Sequence, residues 1–340
     1  MRLGWNRFPI GGSCTSMSAM TDWNVPVAAQ PRQQDLAFDL DAALAAVVGL
    51  RASVPADAFT AGTLGVERSG NGVVIRKDGL VLTIGYLITE AEEVWLTLAD
   101  GAVVPGHVIG YDQTTGLGLV QALARIDVPA LSFGRSSATQ LGERVVVAGA
   151  GGRQRSVAAR IVARQEFAGY WEYVLDDAIF TAPSHPLWGG TALIGPSGDL
   201  LGIGSLQLEG MRDGVNTPLN MIVPIDLLPP ILDDMLTLGR PDRPPRPWLG
   251  IFASEIEDRI IILGLAPRGP ASRADLRAGD VILGVDGEPV DDLAVFFRRI
   301  WALGDAGVEV PLRIWRDGDT FDMRVNSGDR NRFLKAPKIH

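Results

Sequence analysis

The sequence predicts a mainly β protein in which two small barrels are followed by a compact α+β unit. From residue 62 to about residue 225, short β-branched or apolar runs alternate with turn signals roughly every 8–12 residues, as in all-β folds. The predicted strands include Leu117–Ala122, Arg144–Ala148 and Ala192–Ile194. The 40 Gly and 22 Pro residues also favour a chain with many turns. Because the predicted strands are many and short, we expect two barrels rather than one sandwich.

Composition excludes several classes of protein. Apolar residues make up 46% of the chain and charged residues 21%, as in ordinary globular proteins. The net charge of −9 argues against a nucleic-acid partner, since phosphate contacts need a basic surface. The single cysteine, Cys14, excludes an internal disulfide and a zinc site built mainly from cysteine. His, Asp and Glu form no cluster with metal-ligand spacing, so we expect neither a metal nor another cofactor.

The first residues bear on location. Met1–Thr21 contains no apolar stretch of about 7–15 residues, so a secretory signal is not predicted. No stretch reaches the roughly 18 apolar residues of a membrane span. We therefore expect a cytoplasmic protein without a membrane span. A periplasmic location stays open if the start is misassigned, with Met17 or Met20 as the alternative first residue.

The predicted order begins with a disordered leader, residues 1–33, followed by a helix and connector, residues 34–61. Asp35–Leu50 is rich in Ala and Leu and is expected to form one helix, which could pack on the barrels or on a partner chain. The double-barrel unit spans residues 62–239. Within it, Pro224–Leu238 is a predicted helix, with Asp226 as its N-cap and Gly239 as its end.

A Pro-rich linker, residues 240–247, leads to the second unit, residues 248–327, and to a tail, residues 328–340. Val290–Leu303 has the apolar spacing of an amphipathic helix. Val308–Trp315 and Thr320–Val325 are expected to form a closing hairpin.

The second unit contains the runs Leu249–Ile251, Gly269–Ala271, Gly279–Ile282 and Val285–Gly287, followed by Val290. Together these runs resemble a PDZ domain of bacterial type. The resemblance implies peptide binding at Leu249, Gly250 and Ile251: the apolar pair flanks Gly250, whose exposed N–H can receive a terminal carboxylate while an extended peptide adds to a strand edge. The alternative is a plain hairpin at Gly279–Gly287.

Five runs before the second unit carry a wider resemblance: Gly70–Ile75, Asp78–Thr83, Val108–Asp112, Pro186–Thr191 and Gly198–Ile203. With them, residues 65–326 as a whole resemble the HtrA (DegP-like) family of trypsin-like serine proteases, in which a double β-barrel precedes a PDZ domain. The resemblance places the catalytic His, Asp and Ser at three positions occupied here by Tyr86, Gly116 and Trp188. All three positions of the triad are therefore substituted.

These substitutions remove the chemistry of the triad. A serine nucleophile needs an imidazole base that is oriented by a carboxylate. An unperturbed tyrosine titrates near ~10, so Tyr86 is a poor base at neutral pH. Gly116 offers no carboxylate and Trp188 no nucleophilic atom. Pro186, two residues before the nucleophile position, also lacks the backbone N–H expected in the oxyanion hole.

Two alternatives remain open around this loop. Ser184-His185, with Asp176 or Asp177, could form a relocated site, although adjacent residues seldom point at one another productively. Trp188 could fill the cleft as a packing plug, or it could be an aromatic contact in a peptide-binding groove.

The sequence thus predicts a catalytically inactive pseudoprotease that binds peptides or protein C-termini through its PDZ domain, as a regulator or scaffold in protein quality control. The alternative is an active HtrA-type serine endopeptidase with a non-standard site. The resemblance also implies trimers built through N-terminal segments, so partners include a homo-oligomer or a hetero-oligomer with an active homologue.

Overall fold

The computed structural model describes residues 23–212 and 215–335, which divide into two compact units. In this described part, the first unit comprises residues 23–165 and 177–241. The second comprises Glu166–Asp176 and the residues from Asp242 onward, so its first piece comes from within the span predicted for the double barrel. We call Glu166–Asp176 the inserted segment. Among the described residues, none of the helices has the length and apolar character needed to cross a membrane.

The first unit begins with a closed six-stranded barrel in the order β1-β2-β3-β6-β5-β4. Its helices and strands are α1 Leu40–Ala45, β1 Val47–Ser53, α2 Ala61–Leu64, β2 Glu67–Val74, β3 Leu80–Ile84, β4 Glu93–Thr97, β5 Val103–Tyr111 and β6 Leu117–Ala122. Every residue of β3 is buried. Closure leaves no free strand edge in this sheet.

A second closed barrel follows in the order β10-β11-β12-β9-β8-β7. Its elements are β7 Arg144–Ala148, β8 Ser156–Gly169, β9 Tyr173–Ala182, β10 Ala192–Ile194, β11 Leu200–Arg212, β12 Val215–Pro224 and, after it, α3 Leu232–Leu238. The two predicted barrels are therefore present. The ends of β8 and β9 and the turn between them make up the inserted segment.

The beginning of the chain differs from its prediction. Asp35–Leu50 is not one helix, because α1 is capped by Asp39 and ends at Ala45, and a barrel strand starts at Val47. Strand β1 pairs with β2 on one side and β4 on the other, and this pairing outweighs the helix propensity of the Ala- and Leu-rich sequence. The barrel therefore starts well before residue 62.

Part of the predicted disordered leader is ordered. Val25 is 2% exposed in the apolar core of the second barrel, and its N–H donates to the Gln154 carbonyl at 2.8 Å. Burial of Val25 and Trp23 outweighs the aperiodic, polar composition that suggested disorder. Residues 1–22 lie outside the described part of the chain.

The segment after β12 is also less regular than predicted. Two 3-10 turns, Ile225–Leu227 and Pro229–Ile231, precede α3, because the Pro-Pro pair cannot supply N–H groups for a continuous helix. Asp226 is not the N-cap of α3, since its carboxylate accepts the N–H groups of Ser136 and Ser137. Gly239 ends α3 in a left-handed conformation, as predicted.

The second unit is one sheet in the order β13-β14-β15-β17-β18, with β16 paired to β15. Its elements are β13 Ile251–Ile256, β14 Arg259–Leu265, α4 Pro270–Arg273, β15 Val281–Val285, β16 Glu288–Pro289, α5 Leu293–Ala302, β17 Glu309–Arg316 and β18 Asp319–Asn326. The closing hairpin is present, and both of its turn residues, Asp317 and Gly318, have positive φ. The tail is partly ordered: Arg330–Phe333 forms a 3-10 turn, and Phe333 packs on Trp248 with ring centroids 4.8 Å apart.

Candidate functional site

The loop Pro186–Thr191 is a tight turn closed by its own backbone. The Trp188 carbonyl accepts the Thr191 N–H at 3.1 Å and the Thr191 hydroxyl at 2.9 Å. Gly190 has φ +77°, and its N–H donates to the Gly204 carbonyl at 2.8 Å. A Cβ on Gly190 would lie 1.8 Å from the Asn71 carbonyl oxygen, so only glycine fits this turn.

One buried side chain, Asn71 of β2, holds this loop from outside. Its amide nitrogen donates to the carbonyls of Leu187 and Gly189, both at 3.0 Å. Its amide oxygen accepts the Ala150 N–H at 2.8 Å, and its backbone N–H donates to Gly189 at 2.8 Å. The side chain is thus fully used in fixing the shape of the loop, independently of any residue at the nucleophile position.

Tyr86 lies in a 3-10 turn, Gly85–Leu87, that directly follows β3. The Arg68 guanidinium holds this turn by donating to the carbonyls of Tyr86 and Thr89, both at 2.8 Å. The Tyr86 hydroxyl donates to the Ser205 carbonyl at 2.9 Å. The tyrosine is therefore fixed at both its backbone and its hydroxyl.

The structure brings Tyr86 and Trp188 together. Burial raises the pKa of the Tyr86 hydroxyl well above its usual value, and the nearby Trp188 side chain opposes this only in part. A Cβ on Gly189, the residue after Trp188, would lie 2.7 Å from the hydroxyl oxygen. The buried Tyr86 hydroxyl therefore lies against the loop that carries Trp188.

Gly116 meets the Tyr86 turn through its backbone. It has φ +80°, and its carbonyl accepts the Gly85 N–H at 2.7 Å. The acid in the same loop, Asp112, is 4% exposed, and its carboxylate accepts the N–H groups of Thr114 and Thr115. This loop therefore uses its carboxylate to stabilise a turn.

His185 is held as a neutral structural residue. Its Nδ1 accepts the Leu187 N–H at 3.1 Å and its Nε2 lies 2.8 Å from the Arg155 carbonyl, which fixes the proton on Nε2. The side chain is 1% exposed, and burial lowers its pKa. Since both ring nitrogens are engaged by the backbone, no lone pair is left to activate Ser184.

The acids considered as partners for His185 form ion pairs elsewhere. Asp177 pairs with Arg164 in the first unit, and Asp176 pairs with Arg298 in the second unit. Neither carboxylate can orient His185, because both of its ring nitrogens are already bound to backbone groups.

The second unit presents three backbone N–H donors at the predicted peptide-binding residues. The amides of Leu249, Gly250 and Ile251 converge on one point, aided by φ +77° at Gly250. The sequence predicted that the Gly250 N–H is exposed, and this is wrong. The Glu172 carboxylate accepts from Gly250 at 2.6 Å, from Ile251 at 2.9 Å and from Leu249 at 3.1 Å.

Sequence reasoning missed Glu172. The residue is 7% exposed, and burial raises the pKa of its carboxyl to about 7, against the opposing effects of the three N–H bonds and the Arg330 charge. A sequence signal did exist: Tyr170-Trp171-Glu172-Tyr173 places an acid among aromatic residues at a turn. Its partner loop lies nearly eighty residues later in the chain, so local patterns could not pair the two.

Two known domain families match the chain. The Trypsin-like peptidase domain matches residues 70–203 and the PDZ domain matches residues 247–326. These matches contain the substituted loops and the carboxylate-binding loop, respectively.

Two known proteins are similar to about three quarters of the chain. A protein of Halomonas elongata named "Probable periplasmic serine endoprotease DegP-like" is 27% identical over 277 residues, covering 76% of this chain and 56% of that protein. "Serine protease Do-like HtrA" of Lactobacillus helveticus is 25% identical and covers 78% of this chain and 69% of its own length. The chain thus spans little more than half of the Halomonas relative.

A solved structure supports the fold. "HtrA-type protease AlgW with decapeptide" superposes with a TM-score of 0.51 at 21% identity, over 88% of this chain and 99% of that one. The order of two barrels and one PDZ domain is therefore shared with a known structure.

Proposed function

The chain belongs to the HtrA family of trypsin-like serine proteases with a PDZ domain, and from this premise we propose that it is a catalytically inactive member that binds peptides. Its role would be that of a regulator or scaffold in protein quality control. The protease fold then serves as a framework, and the PDZ domain makes the functional contact.

The surroundings of Tyr86 carry the first half of this proposal. The family resemblance assigns Tyr86 and Trp188 to the positions of base and nucleophile, and the buried Tyr86 hydroxyl, whose pKa is raised, donates to the Ser205 carbonyl. Gly116 supplies no carboxylate and Pro186 no N–H, so orientation of the base and stabilisation of an oxyanion are also lost. Trp188 fits the interpretation of a plug that fills the former cleft.

The donor loop carries the second half. Three backbone N–H groups at Leu249, Gly250 and Ile251 already bind a carboxylate, that of Glu172. A peptide ending in a carboxylate offers the same acceptor, and edge-strand addition supplies further bonds. This supports protein C-termini or peptides as ligands.

The name of the Halomonas relative bears on location. This relative is named as periplasmic, which favours a periplasmic location here and does not support the cytoplasmic expectation.

Assembly with itself or with an active homologue is a separate proposal. Light scattering on the purified chain, alone and mixed with such a homologue, tests it; monomers in both samples would contradict it.

Peptidase and labelling assays test the lack of catalysis. Casein, a fluorogenic peptide and a fluorophosphonate probe are each applied to the purified protein, with an active trypsin-like protease as the positive control. We expect no turnover above buffer and no adduct. An adduct mapped to Ser184, with turnover that the Ser184→Ala variant loses, would show instead an active endopeptidase with a non-standard site.

A further inference from the structure

The inserted segment occupies the PDZ groove in the manner of a ligand. Glu172 places its carboxylate on the three convergent N–H groups of the donor loop. Its backbone has φ +61°, an uncommon conformation for a residue with a side chain. The segment adopts this backbone conformation at its turn, where the Glu172 carboxylate contacts the donor loop.

The backbone before Glu172 adds to the edge of the sheet. Strand β13 pairs with β14 on one side only. On its other side the Ala253 N–H donates to the Tyr170 carbonyl at 2.9 Å. Tyr170 lies two residues before the carboxylate, and Ala253 two residues after the last donor of the loop. This matched spacing is the pattern of strand addition by an extended peptide.

Side chains of the segment anchor it along the groove. Val174 is 8% exposed and packs in the apolar cluster of the second unit. Tyr170 meets Phe252 of β13 edge-on, with centroids 5.9 Å apart. Arg298 of α5 pairs with Glu166 at 2.5 Å and with Asp176, so both ends of the segment are held.

We propose that the inserted segment is an internal ligand of the PDZ domain and that peptides with a free terminal carboxylate bind only by displacing Glu172. This inference rests on the proposed peptide-binding function and adds its regulation. The same three N–H groups cannot serve two carboxylates, so the two occupants exclude each other. The ligand class that fits is an extended C-terminal peptide with an aromatic residue two positions before its end, the place that Tyr170 takes in the internal ligand.

Competition between the inserted segment and an external peptide determines how much the apparent Kd changes. A tethered ligand acts at an effective concentration in the millimolar range. An external peptide must therefore bind more weakly to the native chain than to a chain whose internal ligand has lost its carboxylate. We expect a difference of at least about tenfold in apparent Kd.

The test uses a synthetic peptide that copies Glu166–Trp171 and ends in one valine with a free carboxylate, beside the same peptide as a C-terminal amide. Binding is measured by fluorescence anisotropy on the full chain. The variants are Glu172→Ala and, as a matched control, Glu257→Gln, which removes an exposed carboxylate from the β13–β14 turn of the same unit. We expect Glu172→Ala to bind the acid peptide at least about tenfold more tightly than the native chain does, and Glu257→Gln to match the native chain. The amide peptide should bind to none of the three chains.

The outcomes separate the two levels of the proposal. If native and Glu172→Ala chains bind the acid peptide equally, the binding function stands and internal occupancy is refuted. If neither chain binds it, recognition of C-termini fails and displacement fails with it.

A kinetic measurement on the native chain does not depend on any variant. If release of Glu172 precedes binding, the observed association rate in stopped-flow fluorescence reaches a plateau as the concentration of acid peptide rises. A rate that increases linearly throughout, with no plateau, would contradict displacement.

Discussion

The loop Pro186–Thr191 of the first unit and the donor loop Leu249–Ile251 of the second are each organised by one buried polar side chain, and we propose that each is inactive for a different reason. Asn71 belongs to a strand of a closed barrel and fixes a loop that carries Trp188 where the family resemblance places the nucleophile. Glu172 belongs to a turn and covers a loop whose N–H donors are intact. Under this proposal, lost chemistry needs several substitutions to return, whereas a covered site is opened by moving the inserted segment.

The largest expected effect is on the stability of the first unit. Asn71→Ala leaves two carbonyls of the loop and the N–H of Ala150 without this partner, so we expect a loss of about 3 kcal/mol in the free energy of unfolding. Calorimetry measures it, with the exposed Asn331→Ala as a control that changes little. Equal melting of both variants would mean that Asn71 does not maintain the loop.

We expect docking of Glu172 on the donor loop to depend on pH, whereas no such dependence is expected for the loop Pro186–Thr191. Docking holds the pKa of Glu172 at about 7, above its usual value near 4.5. A carboxyl whose pKa is raised on docking favours the docked state at low pH. This stabilisation is complete below pH 4.5 and is lost as the pH rises through 7. Docking therefore weakens about tenfold, roughly 1.4 kcal/mol, from pH 6 to pH 8.

The measurement compares peptide affinity at pH 6 and pH 8 in the native chain and in Glu172→Gln. Other charged groups around the segment include Arg330, Arg298 and the β13 carboxyl of Glu255, whose pKa burial also raises. These groups are present in both chains, so the ratio of affinities isolates Glu172. A pH trend of the same size in Glu172→Gln would assign it to another group.

Removing the Tyr86 hydroxyl should have a smaller effect. Tyr86→Phe removes the buried hydroxyl and leaves the Ser205 carbonyl without this donor, so we expect a loss of about 1–2 kcal/mol in stability. Leu87→Ile in the same turn is a volume-conserving reference with a cost below about 1.5 kcal/mol. Urea unfolding measures the free energy of unfolding of each variant. A Tyr86→Phe variant more stable than the native chain would show that the buried hydroxyl is strained there rather than satisfied.

The smallest effect is expected at the ends of the inserted segment. The Arg298 side chain is 41% exposed, so its ion pairs with Glu166 and Asp176 are screened by water. Arg298→Ala should improve acid-peptide affinity by about two- to fivefold, well below the effect of Glu172→Ala. Arg299→Ala, one residue along α5, is the matched control; an equal gain in both would exclude a specific role for Arg298.

Much of the first unit could be predicted because its signals are local. The bounds of β6, β7 and β10 match the predicted runs Leu117–Ala122, Arg144–Ala148 and Ala192–Ile194. Apolar runs between turn residues determine such strands without information from the rest of the chain. The assignment of Tyr86 and Trp188 to the base and nucleophile positions also rests on motifs, because each position is defined by residues adjacent to it.

What could not be predicted depends on contacts between distant parts of the chain. Val47 lies in a strand because β2 and β4 flank it, although the sequence around it favours a helix. Glu172 contacts the donor loop only because the turn between β8 and β9 reaches a loop that is remote in sequence. Burial of that carboxylate is a tertiary property that hydrophobic patterning does not encode.

The most direct measurement of the central claim is amide hydrogen exchange at Leu249, Gly250 and Ile251 in the native chain and in Glu172→Ala, followed by NMR at pH 6. If Glu172 binds these amides, we expect them to be protected in the native chain and to exchange at least about tenfold faster in the variant. The paired amides of β14 and β15 should stay unchanged and serve as an internal reference. Equal exchange at the three amides in both chains would contradict this expectation, because their partner would then not be Glu172.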